Sequence, residues 1–228
     1  MTTTQINNES LEMYLKSICE LESIQSPVAI SQLAQRLEVS PPSTIEMVKR
    51  LATQGLVTHT PYKGVALTNK GRRQAYIVLR RHRLWECFLA DNLGLAWEKV
   101  HDFACRLEHA TVPEVTNALS EFLGHPQTCP HGNPIPTTEG NITNSQTTPL
   151  INLTINQTAC LINIAYEETI LLEYLAKRGF FPGVILTVED IAPFQGPIIV
   201  RVKEQEYPEA LGREIASRIF VKLLDTKT

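Results

Sequence analysis

Residues 126–150 carry Pro, Thr, Asn and Gly without any periodic apolar pattern, and the hydrophobic period differs on their two sides. Upstream, apolar residues recur every three to four positions, as in helices that bury one face. Downstream, short β-branched runs alternate with Gly and Pro, as in strands joined by turns. A chain with this switch folds as a multidomain, mainly α protein with a helical front and a small β domain behind it. The boundaries read from sequence are 1–72 and 73–140 for two domains, 141–152 for a linker and 153–228 for the β domain.

With 43% hydrophobic and 20% charged residues, the composition suits a packed chain and argues against disorder. No apolar run reaches the length of a membrane span, and the first residues lack the basic and apolar regions of a signal peptide. The expectation is a cytoplasmic protein with no membrane partner. Cys19, Cys87, Cys105, Cys129 and Cys160 are odd in number and scattered, which opposes a disulfide framework and leaves thiols for burial or metal. Charge is unevenly placed. Residues 31–83 hold ten Lys or Arg against two acids, Glu38 and Glu46, within a chain of net charge -3. A basic segment in an acidic protein is the footprint of a nucleic-acid-binding module.

The front of the chain fits that reading. A helix over 10–23, with Asn8 or Ser10 as its cap, carries apolar positions 11, 14, 15, 18 and 21. A short helix over 30–37 follows, and then a turn in which Ser40 caps a third helix with Pro41 at its first position. The runs 56–60 and 64–68 flank Pro61-Tyr62-Lys63-Gly64 and predict a hairpin with Lys63 at its tip. Two helices, a tight turn and a basic hairpin make a winged helix-turn-helix, whose second helix enters the DNA major groove. Its exposed face is read as Ser43, Thr44, Glu46, Lys49 and Arg50, with Lys63, Lys70, Arg72 and Arg73 meeting phosphate. Helices over 70–93, 97–109 and 112–123 carry more apolar surface than this module needs, which points to a subunit interface. Strands are expected over 159–165, 184–191 and 197–203, with a helix over 169–178 stopped by Gly179, giving a small, partly open β-barrel.

On the helix expected over 97–109, His101, Cys105, Glu108 and His109 fall within roughly a third of the circumference. Imidazole, thiolate and carboxylate together suit a borderline divalent transition metal, whereas calcium and magnesium favour oxygen. His101 and His109 are about 12 Å apart along such a helix, so one ion cannot take both. His82 and Glu86, spaced i, i+4, supply a partner pair.

With Leu11-Glu-Met-Tyr-Leu15, the helix-turn-helix, His82 to Glu86, His101 to His109 and Gly132-Asn-Pro-Ile-Pro136 on the page, the chain resembles the diphtheria toxin repressor family over essentially its whole length. The resemblance implies a winged helix-turn-helix, a helical dimerisation domain and a C-terminal SH3-like β-barrel. It implies a primary metal site of Met13, Cys105, Glu108 and His109, and an ancillary site of His82, Glu86 and His101. A carboxylate from the SH3-like domain, Glu168 or its neighbour Glu167, completes the ancillary site in such proteins; the glutamine expected three residues later is Leu171 here. Manganese-sensing members resemble the chain at Thr128-Cys-Pro-His-Gly132, which brings Cys129 and His131 beside Glu86. Those members place oxygen ligands where this chain has Met13 and Cys105. Sulfur at both positions favours iron(II), with cobalt(II), nickel(II) or zinc(II) as surrogates, over manganese(II). The family pattern adds Ser40 and Pro42 to the DNA-facing residues.

What the resemblance implies is a homodimeric repressor with metal as corepressor, in which Met13 ties the first helix to the second domain. A twofold pair of winged helices addresses a palindromic operator, and no organic small-molecule substrate is expected. The rivals are a manganese(II) regulator of the same family, a metal-independent winged-helix regulator, and a metalloenzyme. An enzyme needs an open coordination position and a general base in a pocket, and it leaves the basic helix-turn-helix without a role.

Overall fold

Helix α1 (Thr3–Glu22) opens the computed structural model, which describes residues 3–142 and 146–224. It starts upstream of Asn8 and Ser10, so neither residue caps it; both lie inside the helix. The chain divides into two compact units. Among the described residues, the first comprises 3–82, 105–116 and 136–142, the second 83–104, 117–135 and 146–224. These units cut across the sequence boundaries because the helices over 69–87, 100–107 and 113–122 each contain a unit boundary.

In the first unit, α2 (Ile30–Arg36) and α3 (Pro41–Thr53) form the expected helix-turn-helix. The Ser40 hydroxyl accepts from the Ser43 amide at 3.3 Å and Pro41 fills the first position, where no amide donor is needed. Strands β1 (Val57–Thr60) and β2 (Gly64–Leu67) pair antiparallel as the wing. Val28 extends this ladder, since its amide donates to Val65 at 2.8 Å and its carbonyl accepts from Val65 at 2.9 Å. The approach requires Gly64, where a Cβ would lie 2.2 Å from the Val28 carbonyl oxygen. Leu15, Ile18, Leu33, Val48, Leu51, Leu56 and Val65 are buried in this unit.

Helix α4 (Asn69–Cys87) is shorter than expected and continues as one π-helical turn, Phe88–Asn92. Helix α5 (Val100–Leu107) ends in a 3₁₀ turn, Glu108–Ala110. Thr111 Oγ1 donates to the Leu107 carbonyl at 2.7 Å, and the residue before Pro113 disfavours further helix. Glu108 and His109 thus lie on the tighter turn, about 120° per residue instead of 100°. Helix α6 (Pro113–Phe122) follows.

The second unit holds a small helical core of Leu84, Cys87, Leu119, Cys129 and Ile135, and an antiparallel sheet. Strands β3 (Thr148–Pro149), β4 (Thr158–Ile164), β5 (Ile185–Ile191), β6 (Ile198–Val202), β7 (Glu209–Leu211) and β8 (Ile219–Leu223) take the order β3-β8-β4-β5-β6-β7. Helices α7 (Thr169–Ala176) and α8 (Arg213–Arg218) accompany them. Alternation on β6 sends Ile198, Val200 and Val202 into a core shared with Leu171, Leu172 and Leu175 of α7. The linker expected over 141–152 is corrected in part. Leu150 is fully buried in the sheet core and Thr148 pairs with Val221, while residues 143–145 lie outside the described residues.

Candidate metal centre and nucleic-acid face

Four buried side chains converge in the second unit: Glu86 from the last turn of α4, Cys129 and His131 from the loop after α6, and Glu167 ahead of α7. One ligand-type atom from each lies within 4.8 Å of all the others. The loop is fixed by its own backbone. The Cys129 amide donates to the Asn133 carbonyl at 2.9 Å, the Gly132 amide to the Cys129 carbonyl at 2.8 Å, and the Ile164 amide to the His131 carbonyl at 3.1 Å. Gly132 has φ +81°, and a Cβ there would sit 1.9 Å from the Ile162 carbonyl oxygen, so only glycine allows the loop to lie against β4. Asn133 Nδ2 donates to the Ile164 carbonyl at 2.9 Å and to Glu167 Oε1, and its Oδ1 accepts from Asn163 Nδ2 at 2.9 Å.

His131 Nε2 lies 3.0 Å from the Trp97 carbonyl oxygen. A carbonyl only accepts, so Nε2 carries the proton and, in the neutral ring, Nδ1 offers its lone pair. Nδ1 is buried 3.3 Å from Glu86 Oε1 and 3.6 Å from Glu167 Oε1. His101 Nδ1 borders the same carboxylates, 2.9 Å from Glu167 Oε2 and 3.4 Å from Glu86 Oε1. Burial disfavours charge on His131, but Glu86 and Glu167 more than offset it and hold its pKa well above the ordinary imidazole value. Burial, with help from the same carboxylates, pushes the Cys129 thiol up to about 12. A thiolate, an imidazole with its proton fixed on the far nitrogen and two carboxylates fit a divalent transition metal ion.

A different cluster occupies the first unit. Glu108 is fully buried, and both its carboxylate oxygens accept from Lys16 Nζ, at 2.8 and 2.9 Å. His82 Nδ1 is 2.6 Å from Glu108 Oε2, and Lys16 Nζ is 3.4 Å from Cys105 Sγ. Burial works to raise the Glu108 carboxyl, but Lys16 and His82 bring it down to about 2. His109 Nδ1 pairs with Glu12 Oε2 at 2.8 Å, and Arg81 holds Glu12 Oε1 at 2.9 Å. Burial opposes the Glu12 charge, yet His109 and Arg81 keep its pKa below the usual carboxylate value.

Among the residues expected for the primary site, Cys105, Glu108 and His109 come together in the first unit, and Met13 sits half-buried on α1. Of the residues expected for the ancillary site, Glu86 and His101 meet in the second unit, with His101 Nδ1 3.4 Å from Glu86 Oε1, and His82 contacts Glu108 in the first. Of the two neighbouring carboxylates, Glu167 enters the second-unit cluster. Glu168 is corrected to an exposed residue at the start of α7, 3.8 Å from Arg218, and Leu171 packs in the sheet core. Sequence reasoning missed Lys16, Glu12, Asn133 and Trp97. A lysine on an amphipathic helix reads as a solvated residue, and nothing local marks Lys16 as buried.

On α3 and its cap, Ser40, Pro42, Ser43, Glu46, Lys49 and Arg50 are exposed, as is Lys63 on the wing. Thr44 is a correction: it is fully buried, with its hydroxyl donating to the Ser40 carbonyl at 3.1 Å, so it steadies the helix start instead of facing DNA. Arg72 is held by Glu22 at 2.6 Å and Lys70 by the Gln54 carbonyl at 3.1 Å, which reduces their reach for phosphate.

Residues 8–65 match the family model "Iron dependent repressor, N-terminal DNA binding domain", residues 68–137 match "Iron dependent repressor, metal binding and dimerisation domain", and residues 148–223 match the FeoA domain. The chain is 41% identical over 128 residues to the iron-dependent repressor IdeR of Mycobacterium leprae, a match covering 56% of each protein. It is 42% identical over 128 residues to the diphtheria toxin repressor of Corynebacterium jeikeium, covering 56% of this chain and 53% of that one. The chain thus spans about half the length of these relatives. A solved manganese-dependent transcriptional repressor in complex with manganese superposes with TM-score 0.86 at 35% identity, over 94% of this chain and 100% of that one.

Proposed function

This chain belongs to the iron-dependent repressor family, and from that premise we propose that it is a homodimeric DNA-binding transcriptional repressor switched by a divalent transition metal ion. The observation that carries the metal reading is the buried quartet Glu86, Cys129, His131 and Glu167. A bound ion supplies positive charge against two carboxylates and a thiolate. Glu86 then fixes the last turn of α4, Cys129 and His131 fix their loop, and Glu167 fixes the segment before α7. An ion held in common by these residues would order three segments of the second unit at once. Binding the DNA-competent arrangement about a hundredfold better shifts the balance by roughly 2.7 kcal/mol, which coordination readily supplies.

The ion proposed is iron(II), because a sulfur ligand favours it, with cobalt(II), nickel(II) or zinc(II) as surrogates. Manganese(II) is the second reading, favoured by the two carboxylates. Met13, Cys105, Glu108 and His109 remain the proposed ligand-type set of the first unit. Palindromic operator DNA is the partner, met by α3 through Ser43, Glu46, Lys49 and Arg50 and by the wing through Lys63. The reading assigns no catalysis and no organic substrate, and it places the protein with the DNA in the cytoplasm. An electrophoretic titration of genomic fragments against graded iron(II) or manganese(II) tests it. Metal-dependent, fragment-specific retardation is expected, and equal occupancy by chelator-treated protein overturns it.

A further inference from the structure

In the first unit, the ligand set that family membership suggests for an ion already holds a cation belonging to the chain. Both oxygens of Glu108 accept from Lys16 Nζ at 2.8 and 2.9 Å, Cys105 Sγ lies 3.4 Å from the same ammonium, and so does His82 Nδ1. Lys16 is 2% exposed and Glu108 0%, so this is a buried ion pair and not a surface contact. We propose that Lys16 is the resident cation of this set, so that the chain takes one divalent ion, at the second-unit cluster, instead of two.

The physical reason is competition for the same atoms. An ion bound to Glu108 and Cys105 sits about 2.0–2.3 Å from their ligand atoms, the atoms that Nζ already touches, and two like charges cannot share that space. Lys16 cannot simply swing into solvent, because it leaves the buried middle of α1 between Leu15, fully buried, and Ser17, 2% exposed. Withdrawing the ammonium strands Glu108 without its cation, a costly change for a buried carboxylate. The remainder of the set stays poised: His109 Nδ1 is held by Glu12, and its buried Nε2 lies 3.2 Å from Glu108 Oε1. Taking the ammonium away therefore leaves Cys105, Glu108 and His109, with Met13 three residues from Lys16 on α1, as an ion-ready group. In this chain α1 is fastened to Glu108 by its own lysine, so metal control of that tie is not needed.

This inference rests on the metal-dependent reading, and one experiment separates their failures. The full chain is equilibrated with cobalt(II), ions per chain are counted by elemental analysis, and thiolate-to-cobalt absorption is recorded. One ion per chain is expected in the wild type, with absorption lost in Cys129→Ser and unchanged in Cys105→Ser. Lys16→Met is expected to bind two ions, the added absorption disappearing when Cys105→Ser is combined with it. Two ions in the wild type, or a folded Lys16→Met that binds no more ions than the wild type, overturns the proposal. If Lys16→Met does not fold, the single cysteine variants decide: reduced absorption in Cys105→Ser overturns the proposal, and unchanged absorption upholds it. No ion in the wild type but one in Lys16→Met would uphold the role of Lys16 while sinking the second-unit metal reading.

Discussion

His131 turns its Nε2 to the Trp97 carbonyl, 3.0 Å away, and thereby aims Nδ1 at Glu86 and Glu167. Trp97 closes the arrangement from the other side, its Nε1 donating to the Pro130 carbonyl at 2.9 Å. A backbone carbonyl that fixes the proton on the far nitrogen is the support a ligating histidine requires.

Asn133 gives the equivalent support to Glu167, through the hydrogen bond from its Nδ2. Asn133→Ala is expected to weaken metal binding about 10–100-fold while leaving the number of ions unchanged. Competition with a chromogenic chelator measures this. Unaltered affinity would show that Glu167 is positioned without Asn133.

Metal binding in the second unit should release protons. The Cys129 thiol, pushed up to about 12, and His131, raised by its carboxylate neighbours, both hold protons near neutral pH that coordination must displace. Apparent affinity should therefore rise with pH, about tenfold per unit for each proton released. Calorimetry in two buffers of different ionisation enthalpy counts those protons, and a count of zero refutes the expectation.

Glu108 should make the fold acid-sensitive. Its carboxyl lies at about 2 in the folded chain against an ordinary 4.5, so the unfolded chain takes up this proton first as pH falls. The stabilisation is fully present above pH 4.5 and is lost as pH drops through about 2, amounting to about 3 kcal/mol. Urea unfolding across that range should show the decline, and Glu108→Gln should flatten it.

On DNA, Lys49→Ala and Lys63→Ala should each reduce the slope of log affinity against log salt by about 1 while weakening binding to all sequences alike. Thr44→Val should instead lower thermal stability, because the buried hydroxyl bonded to the Ser40 carbonyl is lost. A salt slope altered by Thr44→Val and unmoved by Lys63→Ala would reverse these roles.

The local elements follow from residues within a few positions of one another. Ser40 and Pro41 start α3, Gly64 allows the wing, and period-2 alternation marks β6. Cys129 and His131 entered only through the resemblance to manganese-sensing members, and in the fold one loop holds both. Interactions across long separations were decided by packing. Glu167 and Glu168 are neighbours of the same chemistry, yet only the first is buried with His131, because the second sits at the start of α7 and faces Arg218. Lys16 and Glu108 are 92 residues apart, and in sequence the first reads as a solvated charge and the second as a metal ligand. Only the fold, by burying both, makes each the necessary partner of the other: a charge removed from water must find its opposite, and which opposite it finds is a property of three-dimensional packing.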